Sequence, residues 1–341
     1  MNVRYATVCS GIEAMSVAAG PLGWTPVFFS EIHPFANAVL KHHYPHVANV
    51  GDMLNIRGSD YEGKIDLLAG GTPCQSFSKA GLRKGLADPR GQLTPAFARL
   101  AYGARVPWLI WENVPGLLSD DQGKTFARVL HAFTGLPLRV PEGGWKNAGA
   151  VRGAPGCYSL AWRVLDCQHC RVDGYPHGLP QTRRRIWAVG HLGDWRAPAE
   201  ILLGDVPVEA LSGTVRLPGD PDTAAPAGSA ANPVYIVGSV IGRDPANEFL
   251  RRQKGWRTGA AFTLTTRHFP YVLAGDRVRR MTCVECERLM GFPDGYTDVA
   301  YNGKPPGDTT RVFVLGNSWA VNCARWVVSR IDSYLEGTLQ K

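Results

Sequence analysis

Apolar runs of strand length alternate with segments of helical spacing through the first half of the chain. Apolar runs predict strands at 5–8, 25–30, 47–50, 65–69, 107–111 and 158–165, and periodic apolar positions predict helices at 14–19, 34–43, 94–101 and 122–132. Strands separated by single helices favour βαβ units. The predicted fold class is therefore α/β.

The pattern changes after His191. Residues 211–232 are rich in Pro, Ala and Gly, which predicts an exposed, flexible insertion. Short β-like runs follow at 234–237, 261–265 and 271–273, with basic residues between them. We therefore expect a catalytic and cofactor-binding domain over 1–190, a small β-rich recognition domain over 191–280, and a return to the large domain over 281–341.

Two predicted helices, 282–290 and 319–335, end the chain. The apolar positions of the second keep helical spacing, and Ser318 has the side chain of an N-cap. We expect this last helix to pack back on the large domain.

The net charge of the 341 residues is +8, which favours an anionic partner, with nucleic acid the first candidate. Charge that only maintains solubility explains the total equally well. The distribution is more informative, because basic residues recur in polar and Gly-rich stretches, as in loops that line a phosphate-binding cleft. They include Arg83, Lys84, 183–185, Arg251, Arg252, Lys254, Arg257, Arg267 and 277–280.

No apolar run is long enough to span a membrane, and the N-terminus leads directly into a strand without a signal peptide. We therefore expect a cytoplasmic, monomeric protein in a bacterial or phage-infected cell. The eight cysteines are scattered, which is typical of reduced thiols.

A CxxC pair raises the question of zinc. Cys167 and Cys170 could bind it with Cys157 and His177, but no second CxxC follows at the usual spacing. An insertion loop without metal is favoured. Cys283 and Cys286 lie on a predicted helix, which argues against a second metal site.

Cys74 lies on a Gly/Pro turn at the end of a predicted strand. Ligands bind at the carboxyl ends of strands in α/β sheets, although such a cysteine can also be an inert loop residue. Glu112 ends the next predicted strand, so parallel pairing would place thiol and carboxyl side by side as a catalytic pair. A helix-capping role is the alternative for Glu112.

Three further features suit an adenosine-containing cofactor. The turn Cys9–Glu13 joins a strand to a helix, Glu31 ends the second strand where it can accept from a ribose diol, and Asp52 follows the third strand. Glu31 could instead cap the helix after it. No phosphate-cradling loop and no GxGxxG is present, which favours an adenosine without phosphates and argues against an oxidoreductase.

Arg183 and Arg185 precede another strand and share a strand face. They could bind phosphates, or a base carbonyl near Cys74, or form a solvated basic surface. Residues 80–91 are basic and Gly-bearing, which is typical of a loop that closes over a substrate.

Taken in order, these blocks resemble those of bacterial and phage DNA cytosine-5 methyltransferases along nearly the whole chain. The matching blocks are Cys9–Glu13, Glu31, Asp52, Gly71–Gln75, Glu112–Val114, Gln181–Arg185, Gly291–Asp294 and Gly316–Ser318. Two departures stand out: Glu13–Ala14 replaces the family's usual glycine pair, and the segment Cys167–His177 is longer than usual.

The resemblance implies a Rossmann-like S-adenosylmethionine-dependent large domain with a small target-recognition domain. Cys74 would be the nucleophile, Glu112 would contact cytosine N3 and its amine, and Arg185 would contact O2, with Arg183 assisting near the nucleophile. The expected cofactor-binding residues are Cys9, Ser10, Gly11, Ile12, Glu31, Ile32, Asp52, Met53, Pro73, Leu93, Asn317 and Ser318. The expected DNA-binding residues are Gln75, Ser78, Arg83, Lys84, Arg252, Lys254, Thr263 and Thr265.

The expected reaction is methylation of C5 of a flipped cytosine in double-stranded DNA, through a covalent bond between Cys74 and C6. A cognate restriction endonuclease would be a partner. The same chemistry on tRNA is the alternative, and a non-catalytic DNA-binding module is a third hypothesis. The long basic segment before Thr282 favours duplex DNA.

Overall fold

The computed structural model describes residues 2–73, 93–204 and 277–339, together with Ala261 and the short segments 235–237, 256–258, 263–265 and 270–274. Its large sheet has eight strands: β1 (Arg4–Val8), β2 (Thr25–Ser30), β3 (Ala48–Asn49), β4 (Leu67–Gly70), β5 (Trp108–Asn113), β6 (Ala148–Val151), β7 (Tyr158–Asp166) and β8 (Arg184–Leu192).

The described helices are α1 (Ala14–Ala19), α2 (Pro34–His43), α3 (Leu93–Gly103), α4 (Lys124–Thr134), α5 (Ala197–Leu203), α6 (Cys283–Met290), α7 (Asp308–Asn317) and α8 (Val321–Leu335). The strand order of the large sheet is β3-β2-β1-β4-β5-β8-β7-β6. Strands β1 to β5 pair in parallel, whereas β8, β7 and β6 pair antiparallel. The predicted α/β class is confirmed.

Strand β5 shows why the sheet is apolar throughout. All six of its residues are buried. Leu109 and Trp111 pack with α3 and α4, whereas Trp108 and Ile110 pack with α1, α5 and α8. Alternate side chains point to opposite faces, so a strand covered on both faces needs apolar residues at nearly every position.

The C-terminal helix α8 packs against α1 and α5. Its start differs from the prediction. The helix begins at Val321 after Ala320, and Ser318 instead follows the end of α7. The prediction that Ser318 caps α8 was wrong, because α7 extends through Gly316–Asn317 and the chain must turn before the next helix begins.

Residues just beyond position 191 also lie on the large sheet. Strand β8 runs to Leu192, and α5 packs against β7 and β8. A second sheet, with order β10-β9-β11-β12, is antiparallel and consists of β9 (Tyr235–Val237), β10 (Trp256–Thr258), β11 (Tyr271–Ala274) and β12 (Arg277–Arg280). The domain boundaries themselves stay a prediction, and the insertion 211–232 lies outside the described residues.

Within the described ranges, no helix combines the length and the apolar character that crossing a membrane requires.

Candidate active site

The turn after β1 bends the backbone into an unusual conformation. Cys9, Gly11 and Glu13 all have positive φ, at 49°, 57° and 62°. The backbone N–H of Gly11 then donates to Glu31 Oε2 at 2.7 Å, and Ser10 Oγ accepts from the backbone N–H of Ser30 at 3.0 Å. The turn is therefore fastened to the end of the neighbouring strand β2.

Glu31 organises this edge of the sheet. Besides Gly11, its carboxylate accepts from the N–H groups of Ile32 at 2.9 Å and His33 at 2.8 Å. The N-cap of α2 is His33, whose Nδ1 accepts from Ala36 N–H. The capping alternative for Glu31 is therefore not what the structure shows, and its carboxylate lies at the end of β2 beside the turn.

Apolar and acidic groups continue along the same edge. Ile32 is 69% exposed and directly follows Glu31. Asp52 caps a short helical turn through Leu54 N–H at 3.0 Å. Met53 is buried, with its sulfur 4.0 Å from Cys9 Sγ.

A cleft with about 400 Å³ of empty volume opens beside this turn. The described residues that line it come from β1 and the turn after it, the start of α1, the end of β4, the end of β5, and the end of α7 with the two residues that follow it. They include Cys9, Ser10, Gly11, Glu13, Gly71, Glu112, Asn317, Ser318 and Trp319. No Lys or Arg is among these lining residues, whereas two carboxyl groups are. Such a cleft fits a cofactor that carries positive charge and no phosphates.

Glu112 lies at the end of β5 and is buried, with Arg185 Nε 3.1 Å from its Oε1. Burial raises the pKa of the Glu112 carboxyl, and this shift is opposed by the charges of Arg185 and Arg183 and by a hydrogen bond from Trp319. Burial and the neighbouring cations thus act on the pKa of this carboxyl in opposite directions. The pairing of β4 with β5 places the strand that leads to Cys74 next to Glu112.

Arg183 binds different groups from those that Arg185 binds. It is 2% exposed, and its guanidinium donates to the backbone oxygens of Leu264 at 3.1 Å, Gly316 at 3.0 Å and Ser318 at 2.6 Å. Burial, reinforced by the charge of Arg185, lowers its pKa to about 9. Two distant segments, at Leu264 and at 316–318, are thus joined to the residue before β8, and the guanidinium is bound by their carbonyl groups. Its assistance at the nucleophile stays a prediction.

Gln181 reinforces this junction. Its amide nitrogen donates to Leu289 O at 2.8 Å, and its amide oxygen accepts from Leu264 N–H at 2.7 Å. Thr263 Oγ1 donates to Thr182 O at 2.5 Å, so this predicted DNA-binding hydroxyl has a backbone partner. Ala261 pairs with Gln181 in an isolated bridge, and 263–265 form no strand, unlike the expected run 261–265. Thr265 is exposed.

The backbone just before Cys74 is held by buried polar contacts. Asn113 Nδ2 donates to Thr72 O at 2.9 Å, and Trp111 Nε1 donates to Thr72 Oγ1 at 3.0 Å. Pro73 is exposed at the end of this segment, and Leu93 begins α3. The remaining predicted residues, Cys74, Gln75, Ser78, Arg83, Lys84, Arg252 and Lys254, lie outside the described residues.

The CxxC segment packs inside the protein. Cys167 Sγ donates to Gln181 O at 2.9 Å, and Cys170 Sγ lies 3.3 Å from Cys323 Sγ. In the part of the chain that the structure describes, no group of three or more His, Cys, Asp or Glu side chains is arranged to hold a metal ion.

The sequence did not reveal the part that three residues play in the site. Gly71 and Trp319 line the cleft, and Asn113 holds the backbone at Thr72. Each lies within or directly beside one of the matching sequence blocks, and that position could have indicated a role in the site. Their partners come from other segments, and periodicity does not reveal such contacts.

Solved structures of methyltransferases share this fold. The S. pombe Dnmt2 methyltransferase aligns with a TM-score of 0.59 at 19% identity, covering 100% of both chains. A putative DNA modification methyltransferase encoded within an E. coli prophage aligns with a TM-score of 0.59 at 15% identity, covering 98% of this chain and 100% of the other. At these identities the likeness shows a Rossmann-like methyltransferase fold.

The profile of the C-5 cytosine-specific DNA methylase family matches residues 3–211 and 232–333. The chain therefore belongs to the C-5 cytosine-specific DNA methylase family, which confirms the resemblance inferred from its blocks.

Curated relatives are named for several activities. A protein of Escherichia phage P1 named DNA N-6-adenine-methyltransferase is 30% identical over 465 residues, covering 96% of this chain. The type II methyltransferase M.DsaV of Dactylococcopsis salina is 24% identical over 368 residues, covering 100% of this chain and 89% of its own length. The chain spans 61% of the length of the phage P1 protein.

Proposed function

We propose that this protein transfers a methyl group from S-adenosylmethionine to C5 of a cytosine in double-stranded DNA. The observation that carries the proposal is the position of Glu112, which lines the same cleft as the Gly11 turn and is paired with Arg185. The proposed acid for the target cytosine and the proposed cofactor-binding site would thus lie at the same edge of the sheet.

The cofactor would be held by the Gly11 turn, Glu31, Ile32 and the Asn317–Ser318 segment. The Glu31 carboxylate is fixed by backbone N–H groups where a ribose diol can donate to it, and the exposed Ile32 offers an apolar surface to an adenine face. The bound cofactor supplies an electrophilic methyl group on a sulfonium sulfur. A cleft without Lys or Arg among its described lining residues supports such a positively charged donor.

The chain's own residues would activate the base. Cytosine C5 is a weak nucleophile, so the thiolate of Cys74 adds to C6, and the electrons of the C5–C6 double bond move toward C5 and the N3 side of the ring. Glu112 shares its proton with N3 and so limits the charge that builds up there, while Arg185 donates to O2. After C5 has gained the methyl group, its proton passes to solvent water, the electron pair of that C–H bond re-forms the C5–C6 double bond, and the S–C6 bond breaks to release the Cys74 thiolate.

This chemistry requires the base to leave the duplex, so base flipping is part of the proposal. Basic loops would neutralise phosphates, and the small antiparallel sheet would supply sequence readout. We assign the cofactor and substrate contacts residue by residue as predicted above. Arg183 we assign to positioning, since its donors bind backbone oxygens.

DNA is favoured over RNA because the matching family is described as a DNA methylase and several relatives are named type II methyltransferases. Those relatives also support the proposal of a companion endonuclease. The test is methyl transfer from isotope-labelled cofactor to duplex DNA and to tRNA, followed by mass spectrometry of the nucleosides. Label in 5-methyldeoxycytidine supports the proposal. Label in N6-methyldeoxyadenosine, or in tRNA alone, contradicts it.

A further inference from the structure

Trp319 faces the acid of the proposed site but belongs to the cofactor side of the cleft. It follows the Gly316–Ser318 block between α7 and α8 and is 8% exposed. Its ring packs edge to face on Trp187 of β8, with 4.8 Å between ring centroids. It also lines the cleft together with Glu112. The indole is therefore fixed between two strands of the sheet and the cofactor seat.

The indole nitrogen of Trp319 lies beside the Glu112 carboxyl, and hydrogen bonding from Trp319 is one of the influences that lower the pKa of that carboxyl. A Cβ placed on Gly71 would lie 2.8 Å from Trp319 Nε1 and 2.9 Å from Glu112 Oε2, so these two atoms converge above the glycine. Arg185 approaches the other carboxyl oxygen, Oε1. The two carboxyl oxygens thus have different neighbours, with the indole nitrogen near Oε2 and the guanidinium at Oε1.

We propose that Trp319 is a positioning residue for the reaction. Its indole N–H fixes the orientation of the Glu112 carboxyl from one side, while Arg185 binds the carboxyl from the other side. The inference rests on the proposed function and adds a residue to it. With one oxygen held by the indole and the other by the guanidinium, the carboxyl cannot rotate, and its remaining edge stays directed at the base.

The same contact links the acid to the cofactor seat. The segment that carries Trp319 is tied down because Arg183 donates to the oxygens of Gly316 and Ser318. Asn317 and Ser318 line the cleft from this segment. A cofactor that contacts Asn317 and Ser318 would therefore also restrict the position of the Trp319 indole, which contacts Glu112.

The chain offers a matched control. Trp187 is buried beside Trp319, but its Nε1 has no hydrogen-bond partner among the described residues. Trp319→Phe and Trp187→Phe both remove an indole N–H and some volume from the same aromatic pair. The first removes the donor to Glu112, and the second removes a donor with no described partner.

The expected result is a specific loss of turnover. Trp319→Phe lowers kcat by about tenfold, the size of one lost hydrogen bond to a charged group, and leaves the KM for cofactor within about twofold. The indole N–H stabilises the ionised form of the carboxyl, so removal of the indole raises the pKa of Glu112. The limb of the pH–kcat profile that reflects the Glu112 titration then moves to higher pH. Trp187→Phe leaves the pH profile in place.

The contact can also be tested without turnover. Carbon-13 NMR of labelled glutamate carboxyls, assigned with Glu112→Gln, reports the Glu112 titration directly in each variant. A rise of the Glu112 pKa in Trp319→Phe and none in Trp187→Phe supports the inference. Equal titrations in wild type and Trp319→Phe, or equal shifts in both variants, overturn it. A wild-type protein that transfers no methyl group to cytosine contradicts the proposed function instead, and the NMR comparison still decides the contact.

Discussion

Arg185 Nε lies 3.1 Å from Glu112 Oε1 across the antiparallel strands β8 and β5. Glu112 is directly opposite Trp187, so Arg185 is its diagonal neighbour on the same face of the sheet. Long side chains span that diagonal. The junction between the parallel and antiparallel parts of the sheet thus brings an acid and a guanidinium together at the cleft.

Replacing the guanidinium of this pair should cost most of the turnover. In Arg185→Gln the buried carboxyl loses the nearest charge that opposes its burial, so the pKa of Glu112 rises further and its orientation is lost. We expect kcat to fall about 100-fold. Arg196→Gln is the control, since Arg196 is exposed beyond the opposite end of β8. Methyl-transfer kinetics check this, and equal rates for both variants would refute the role of Arg185.

Glu31 should govern cofactor affinity. Its carboxylate accepts from three backbone N–H groups, of Gly11, Ile32 and His33, and a neutral amide with one oxygen cannot do so equally well. In Glu31→Gln the Kd for S-adenosylhomocysteine should rise about tenfold or more, measured by calorimetry. Glu62→Gln, which removes a carboxylate from an exposed pair with Arg105, should bind like the wild type. An unchanged Kd in Glu31→Gln would remove Glu31 from the cofactor site.

Glu13 should make stability depend on pH. Its buried carboxyl accepts from Thr7 Oγ1 and from Ser16, yet burial raises its pKa to about 7. An unfolded chain ionises this group more readily, so stabilisation by the neutral carboxyl is complete below about pH 4.5 and is lost as the pH rises through about 7.

The comparison is with Glu13→Gln, which does not titrate. The free energy of unfolding of the wild type relative to this variant should fall by up to about 3 kcal/mol between pH 5 and pH 8. Urea denaturation at several pH values measures the difference. Parallel pH profiles for the two proteins would show that Glu13 titrates normally.

Gly71 should be intolerant of any side chain. A methyl group there would overlap Trp319 Nε1 and Glu112 Oε2. We expect Gly71→Ala to lower kcat by at least about tenfold, since displacing the carboxyl disturbs its alignment with the base. Gly307→Ala serves as control, because a Cβ at that position meets nothing within 4 Å. If both alanine variants turn over at the wild-type rate, the carboxyl is not confined as described.

Local sequence patterns predicted the first half of the fold well. Helices α1 and α2 and strand β2 lie where the apolar spacing placed them, because each has a clear period and is bounded by turn residues. Helix α7 escaped detection since its sequence, Asp308–Asn317, is rich in threonine and valine, which favour strands. Strand β6 is only four residues long and contains glycine within a Gly-rich stretch.

The site residues that lie at the ends of neighbouring parallel strands could be grouped from the sequence. The ends of β1, β2, β4 and β5 meet at one edge in any parallel sheet, so the grouping of Gly11, Glu31 and Glu112 followed from the pattern. The partners of Arg183 did not, because Leu264 and Gly316 lie far away in the sequence and contribute only backbone oxygens. Contacts of this kind depend on tertiary packing and leave no local signature.

Bisulfite sequencing can show whether this protein methylates cytosine C5 in DNA and whether it needs Cys74 to do so. DNA would be taken from cells that express the wild type or Cys74→Ser. The wild type should protect cytosines at one recurring sequence, and Cys74→Ser should protect none while still binding S-adenosylhomocysteine. Full protection in Cys74→Ser, or no protected cytosine with the wild type, would contradict the account.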